Sequence, residues 1–188
     1  DGVDTVQSES SVDLTDGRFT SVENIVLTGA DDLNATGDDL DNLITGNDGS
    51  NLLDGGTGAD SLLGGKGNDT LVIGLETASI QGGDGTDLVQ SNEDVDLTDG
   101  RFSTVEHILL VGDDSANATG DAGNNIMTGN DGSNSLFGGA GIDSVEGGAG
   151  DDTLDGGIGS DSLSGGEGDD YLIVDASDVL IDGGDGTD

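Results

Sequence analysis

Residues 138–173 read GGAGIDSVE, GGAGDDTLD, GGIGSDSLS and GGEGDDYLI, four nonapeptides in succession without a gap. Each has glycine at places one, two and four, aspartate at place six and an apolar residue at place eight. The same unit occurs as GGTGADSLL and GGKGNDTLV at 55–72, as GGDGTDLVQ at 82–90, and as GGDGTD at 183–188. Weaker copies with asparagine at place six precede each block: GDDLDN at 37–42 and GNDGSN at 46–51, then GDAGNN at 120–125 and GNDGSN at 129–134. An internal period of this kind is the mark of a repeat architecture, in which each unit buries its apolar side against its neighbours.

The apolar positions keep the same beat. Ile44, Leu53, Leu62, Leu71, Ile80 and Val89 form one column; Met127, Leu136, Val145, Leu154, Leu163, Leu172 and Ile181 form another. Two stretches, 73–81 and 174–182, lose the glycines and aspartates but hold the register, so the winding is expected to continue through them without metal ligands. A longer repeat lies on top: 1–72 aligns with 84–155 at an offset of 83, and from Leu71/Leu172 onward the offset is 101. This predicts a first solenoid unit over 1–83, with an irregular part at 1–36, binding repeats at 37–72 and a non-binding coil at 73–81. The second unit, 84–188, has an irregular part at 88–119, binding repeats at 120–173, a non-binding coil at 174–182 and the start of another motif at 183–188. The chain reads as a segment of a longer array.

Composition narrows the chemistry. Among 188 residues there are 41 acidic and 3 basic side chains, for a net charge of −38, with 37 glycines and no cysteine or proline. So few cations cannot neutralise phosphates, which excludes nucleic acid and anionic membranes as partners. The longest apolar runs, 108–111 and 171–174, are far too short to span a bilayer. Lack of cysteine removes disulfides, thiol catalysis and thiolate metal sites. Composition alone resembles a disordered acidic linker, but a linker has no reason to keep an apolar register.

Each nonapeptide divides into a turn, places one to six, and a short strand, places seven to nine, and two units make one flattened coil. Stacked coils lie about 4.8 Å apart, so a place-six carboxylate meets the one two nonapeptides later on the same edge. Two bare carboxylates at about 4–5 Å repel by about 1 kcal/mol in water and by several times more when partly desolvated. A shared cation relieves this. With oxygen as the plentiful donor the cation is hard, and calcium suits a flexible oxygen cage better than magnesium or zinc.

The pairing predicts about eight sites. Asp69–Asp87, Asp143–Asp161, Asp152–Asp170 and Asp170–Asp188 join two carboxylates; Asn42–Asp60, Asn51–Asp69, Asn125–Asp143 and Asn134–Asp152 join an amide to a carboxylate and should bind more weakly. On the C-terminal side of Asp60 and Asp161 the expected places hold Ala78 and Val179, so no partner is expected there.

The GGxGxDxUx pattern resembles the repeats-in-toxin (RTX) family, also called haemolysin-type calcium-binding repeats. The resemblance implies an all-β, right-handed parallel β-roll or β-solenoid of roughly ten coils. It also implies calcium ligation by the place-six residues together with backbone carbonyls at alternate loop positions. Carried onto this chain, these are Gly56, Gly58, Gly65, Gly67, Gly83, Gly85, Gly139, Gly141, Gly148, Gly150, Gly157, Gly159, Gly166, Gly168, Gly184 and Gly186. Family members are secreted bacterial proteins, exported unfolded by type I machinery and folding on extracellular calcium. The expectation is therefore an extracellular structural module, not an enzyme, whose partners are calcium, flanking repeats of the same chain or neighbouring protomers. It would belong to an adhesin, surface-layer or filament protein, or serve as the secretion and folding module of an enzyme or toxin. Segments 5–36 and 88–119 depart from the pattern; alternation at Ile25/Leu27 and Val95/Leu97 predicts strands there. His107 answers Asn24 in the first repeat and reads as a turn or solvated histidine. Arg18 and Arg101, each beside a phenylalanine, read as packed on the ring or paired with an aspartate.

Overall fold

The structure is a computed structural model and describes residues 2–188. Apart from one 3-10 turn at Leu14–Asp16, every regular element is a strand. In chain order the first are β1 (Thr5–Ser8), β2 (Val12–Asp13), β3 (Asn24–Leu27), β4 (Asn34–Thr36), β5 (Leu43–Thr45) and β6 (Leu52–Asp54). There follow β7 (Ser61–Lys66), β8 (Thr70–Ile73), β9 (Ser79–Asp84), β10 (Leu88–Ser91), β11 (Val95–Asp96) and β12 (Phe102–Ser103). Next come β13 (His107–Leu110), β14 (Ala118–Thr119), β15 (Ile126–Thr128), β16 (Ser135–Phe137), β17 (Ala140–Gly141) and β18 (Ser144–Ala149). The last are β19 (Thr153–Asp155), β20 (Ile158–Gly159), β21 (Ser162–Glu167), β22 (Tyr171–Ile173) and β23 (Leu180–Asp185). No helix among the described residues is long and apolar enough to cross a membrane.

The described residues form two compact units, one of residues 2–89 with 100–105 and one of 90–99 with 106–188. Each is a parallel β-roll. In the first, one sheet runs β1-β3-β5-β7-β9-β12 and the facing one contains β2-β4-β6-β8. In the second the sheets contain β13-β15-β18-β21-β23 and β11-β14-β16-β19-β22, with β17-β20 as a short extra pair. The segment 100–105 packs with the first unit although the long repeat assigns it to the second, because Phe102–Ser103 pairs with Ile80–Gln81.

Register follows the sequence period. In the regular blocks partners lie one coil apart, two nonapeptides along the chain, as in Ile44↔Leu62 and Leu62↔Ile80, or Leu136↔Leu154 and Leu154↔Leu172. The irregular stretches are indeed strands in the same rolls, but with longer coils. Ile25 pairs Ile44 and Val95 pairs Ala118, and both partners lie further along the chain than two nonapeptides reach. The additional residues form bends and the 3-10 turn, whose start Asp13 caps by accepting from the Thr15 N–H at 2.8 Å.

Because side chains alternate across a strand, the middle residue of each short strand points inward. Ile44, Leu53, Leu62, Leu71, Leu154 and Leu163 are fully buried, while Leu43 and Leu52 beside them are exposed. Full burial of one such side chain stabilises by about 1.5–3 kcal/mol. The turns need glycine where coils touch. At Gly83, with φ +121°, a Cβ would strike the Gly65 carbonyl one coil below.

The column carries a direct test. In saturating calcium, Leu62→Ala should lower the unfolding free energy by about 2–5 kcal/mol, whereas Leu52→Ala should change it by less than about 1 kcal/mol. Urea denaturation of both variants measures the difference.

Candidate metal sites

The place-six residues line one edge of each turn row and, apart from the exposed Asp188, are buried. Asp60, Asp69, Asp87, Asp143, Asp152, Asp161 and Asp170 are each no more than 5 % exposed. They are linked coil to coil by one repeated hydrogen bond, in which the backbone N–H of one place-six residue donates to Oδ1 of the next. In the first unit Asn42 donates to Asp60 (2.8 Å), Asn51 to Asp69 (2.7 Å) and Asp69 to Asp87 (2.8 Å). In the second, Asn125 donates to Asp143 (2.7 Å) and Asp143 to Asp161 (2.9 Å). Alongside run Asn134 to Asp152 (2.7 Å), Asp152 to Asp170 (2.9 Å) and Asp170 to Asp188 (3.1 Å). Every pair read from the doubled nonapeptide spacing is thus brought together on adjacent coils. At Asp161 the next coil offers a substitute the spacing does not reveal. Asp178, one residue before Val179, accepts from the Asp161 N–H at 3.3 Å.

The hydrogen bond uses one carboxylate oxygen and leaves the other. Oδ2 of Asp69, Asp143, Asp152, Asp161 and Asp170 is buried without a hydrogen-bond donor. At Asp69, Asp143, Asp152 and Asp170 a second acceptor borders the same space. A Cβ placed on Gly64 would strike both Asp69 Oδ2 and the Gly82 carbonyl; one on Gly147 would strike Asp152 Oδ2 and the Gly165 carbonyl; one on Gly165 would strike Asp170 Oδ2 and the Gly183 carbonyl. In these motifs the first glycine therefore leaves a space shared by a carboxylate oxygen and a carbonyl oxygen of successive coils, with no hydrogen-bond donor for the carboxylate oxygen. An unsatisfied buried charged group of this kind is costly. Among the described residues no three His, Asp or Glu side chains form a ready metal cluster. A cation here would draw its donors from two coils and from main-chain carbonyls, a hard, all-oxygen set that fits calcium.

The carbonyls of the second- and fourth-place glycines lie along the coil-to-coil contact. Gly65 and Gly148 face Gly83 and Gly166, while Gly67 and Gly150 face Gly85 and Gly168. Some of these carbonyls are already engaged, as where Gly139 accepts from the Ile158 N–H at 2.8 Å. The carbonyls of first-place glycines, which the sequence reading does not single out, border the same space as the unsatisfied carboxylate oxygens at Gly64, Gly147 and Gly165.

The asparagine positions differ in kind. The Asn51 Oδ1 accepts from the Asn47 N–H (2.8 Å), and its amide donates to the Leu33 carbonyl (3.0 Å) and to Asn47 Oδ1 (3.0 Å). Asn134 repeats this with Asn130 and the Ala116 carbonyl. Asn42 and Asn125 donate to the carbonyls of Val22 and Glu106. A carboxylate can only accept, whereas an amide can also donate. Asparagine therefore stands where the preceding irregular coil presents a carbonyl instead of an N–H. Asn47 and Asn130, buried second-place residues, complete the network by donating to Thr28 and Asp31, or to Val111 and Asp114. The sequence reading passed over both; their signal was the identical GNDGSN at 46–51 and 129–134.

Residues away from the turns take ordinary roles. His107 opens β13 opposite Ile126. The guanidinium carbons of Arg18 and Arg101 lie 5.4 Å from the ring centroids of Phe19 and Phe102, and Arg18 also pairs with Asp16.

Burial, reinforced by the neighbouring Asp87, pushes the Asp69 carboxyl up to about 6. Burial with Asp170 and Asp151 does the same for Asp152, also to about 6. Asp60 and Asp143 are raised for the same first cause. The folded chain thus keeps these protons to higher pH than the unfolded chain does. Without calcium, its stability should be greatest below about pH 4 and fall as pH rises through about 6. Circular dichroism in chelator should show more β-structure at the acid end of that window than at neutral pH.

A family model for the RTX calcium-binding nonapeptide repeat matches residues 36–71, 111–145, 128–163, 137–172 and 164–188. A search of the curated proteins gave no match. With repeat matches over more than half of its length, laid on parallel coils whose turns stack carboxylate on carboxylate, the chain belongs to the RTX calcium-binding repeat family.

Proposed function

We propose that this chain is an extracellular structural module that folds and stiffens as calcium binds along its turn rows. The observation that carries the reading is the series of buried Oδ2 atoms at Asp69, Asp143, Asp152, Asp161 and Asp170, each lacking a donor. Bound calcium supplies positive charge to about 6–8 oxygens in a flexible arrangement. The ligands proposed are the place-six carboxylates of paired coils with carbonyls of the adjoining glycines. The tightest binding is assigned to Asp69–Asp87, Asp143–Asp161, Asp152–Asp170 and Asp170–Asp188. The pairs that include Asn42, Asn51, Asn125 or Asn134 bind more weakly, since each lacks a carboxylate and its amide is already hydrogen-bonded.

The chain's own residues explain why the response is a switch. Where calcium is scarce, a net charge of −38 and desolvated carboxylates oppose stacking, and the extended chain is suited to export by type I machinery. Where calcium is abundant, binding to the folded state alone stabilises it by mass action. The duplication at offset 83 favours a spacer in an adhesin, surface-layer or filament protein over an appendage of an enzyme.

Asp152 separates placed charge from total charge, because it accepts from one coil and donates to the next. Asp152→Ala should weaken calcium affinity at its row by about tenfold or more. Asp113→Ala, which removes the same charge from an exposed bend, should leave affinity nearly unchanged. Calorimetric calcium titration measures both. Equal effects would mean that bulk charge governs binding.

A further inference from the structure

The coil at 174–182 lacks the motif, yet it meets the coil before it through the same two hydrogen bonds as a motif coil. At a regular step the Asp69 N–H donates to Asp87 Oδ1 at 2.8 Å, and the Leu88 N–H donates back to the Asp69 carbonyl at 2.8 Å. At the step after Asp161, the Asp161 N–H donates to Asp178 Oδ1 at 3.3 Å, and the Val179 N–H donates back to the Asp161 carbonyl at 2.9 Å. Asp178 and Val179 thus stand to Asp161 as Asp87 and Leu88 stand to Asp69. The carboxylate arrives one residue early, so the nonapeptide period misses it.

Asp161 carries the unmet half of this pair. It is fully buried, its Oδ1 accepts from the Asp143 N–H at 2.9 Å, and its Oδ2 has no donor. That Oδ2 lies over Gly156, where an added Cβ would strike it. Asp69 Oδ2 lies over Gly64 in the same way, in a space that the Gly82 carbonyl of the following coil borders. By the same register, the orphaned oxygen of Asp161 opens toward the coil that brings Asp178. The first repeat shows that this turn needs no carboxylate for its shape. At offset 101, Thr77 stands where Asp178 stands, and the Ala78 N–H donates to the Asp60 carbonyl at 2.8 Å. The Thr77 hydroxyl accepts from the Gly74 N–H at 3.2 Å and so caps its own turn. Asp178 caps likewise, its Oδ2 accepting from the Asp175 N–H at 2.7 Å, and adds a negative charge that threonine does not. Beside a buried carboxylate oxygen without a donor, that charge is unfavourable unless a cation lies with it.

We propose that Asp161 and Asp178 hold a further calcium ion, at a coil to which the nonapeptide pattern assigns none. This site rests on the calcium reading of the regular rows and extends it. The row that runs Asn125, Asp143, Asp161 continues one coil further, and Asp161 borders an ion on each side. The two carboxylates make an oxygen-only site for a hard divalent cation. It binds more weakly than a full motif, for a reason in the backbone. The turn 174–178 contains no glycine, and none of its residues takes the positive φ that Gly166 and Gly168 adopt at +116° and +140°. Such a turn brings fewer carbonyls to the ion, and water completes the shell. The second repeat then binds one ion that the first, with Thr77 in this place, does not.

Equilibrium dialysis of the chain counts the bound ions, with circular dichroism confirming the fold in calcium. Calcium is held at about 5 mM, above the upper end of about 10⁻³ M for extracellular calcium modules, in about 0.15 M salt to suppress diffuse binding. Asp178→Asn keeps an acceptor for the Asp161 N–H and removes the charge; it should bind one ion fewer than the wild type. Asp178→Thr, the change to the first repeat's residue, should lose the same ion, and it serves if the asparagine variant misfolds. Asp182→Asn removes one charge from an exposed place nearby and keeps the acceptor for the Gly184 N–H; it should bind the full number. Asp178 variants that keep the wild-type count, or an ion lost equally from Asp182→Asn, would overturn this site and leave the regular rows standing. A wild type that binds no calcium would overturn the calcium reading along with it.

Discussion

The structure depends on the stacking of one carboxylate on another, one coil apart. The place-six aspartate ties each coil to the previous one through Oδ1 and leaves Oδ2 facing a carbonyl of the next. The same side chain thus supplies register and a localised negative charge with no internal donor. Hydrogen bonding fixes where the coils must lie, while electrostatics opposes placing them there at neutral pH. The conflict is resolved by a proton or by a metal ion, and the oxygen-only donor set selects a hard cation.

Other features follow from that constraint. The apolar column is thin, one inward side chain per short strand, and glycine fills the turns in place of larger residues. A roll of this kind relies on its turn rows as well as its thin core for cohesion, and under the proposed function folding and metal binding are one equilibrium. The asparagines mark where the rows begin. Beyond them the irregular coils turn carbonyls toward the row, and the Asn47–Asn51 and Asn130–Asn134 networks meet them with amide donors. These starting turns satisfy their own polar groups and can hold register before any ion arrives.

Much of this was legible in the sequence because the period is strict. Nonapeptide spacing with Leu, Ile or Val at place eight located the inward column, and doubling that spacing located the eight stacked place-six pairs. What escaped was set by direction rather than spacing. Which glycine carbonyl faces the carboxylate depends on the turn's dihedral angles, so first-place carbonyls such as those of Gly82 and Gly165 could not be told from their neighbours. The substitution of Asp178 for the expected place 179 arises because a turn lacking glycines takes a different path. The longer coils that join Ile25 to Ile44 and Val95 to Ala118 carry no repeat to count by. The packing of 100–105 with the first unit is a long-range pairing that local pattern does not announce.

Far-UV circular dichroism of the chain during a calcium titration from chelator, with magnesium as control, tests the central claim most directly. The account predicts a cooperative transition from coil to β-structure in calcium and little response to magnesium at equal concentration. A spectrum that is fully β in chelator, or one that magnesium changes as well as calcium does, would contradict it.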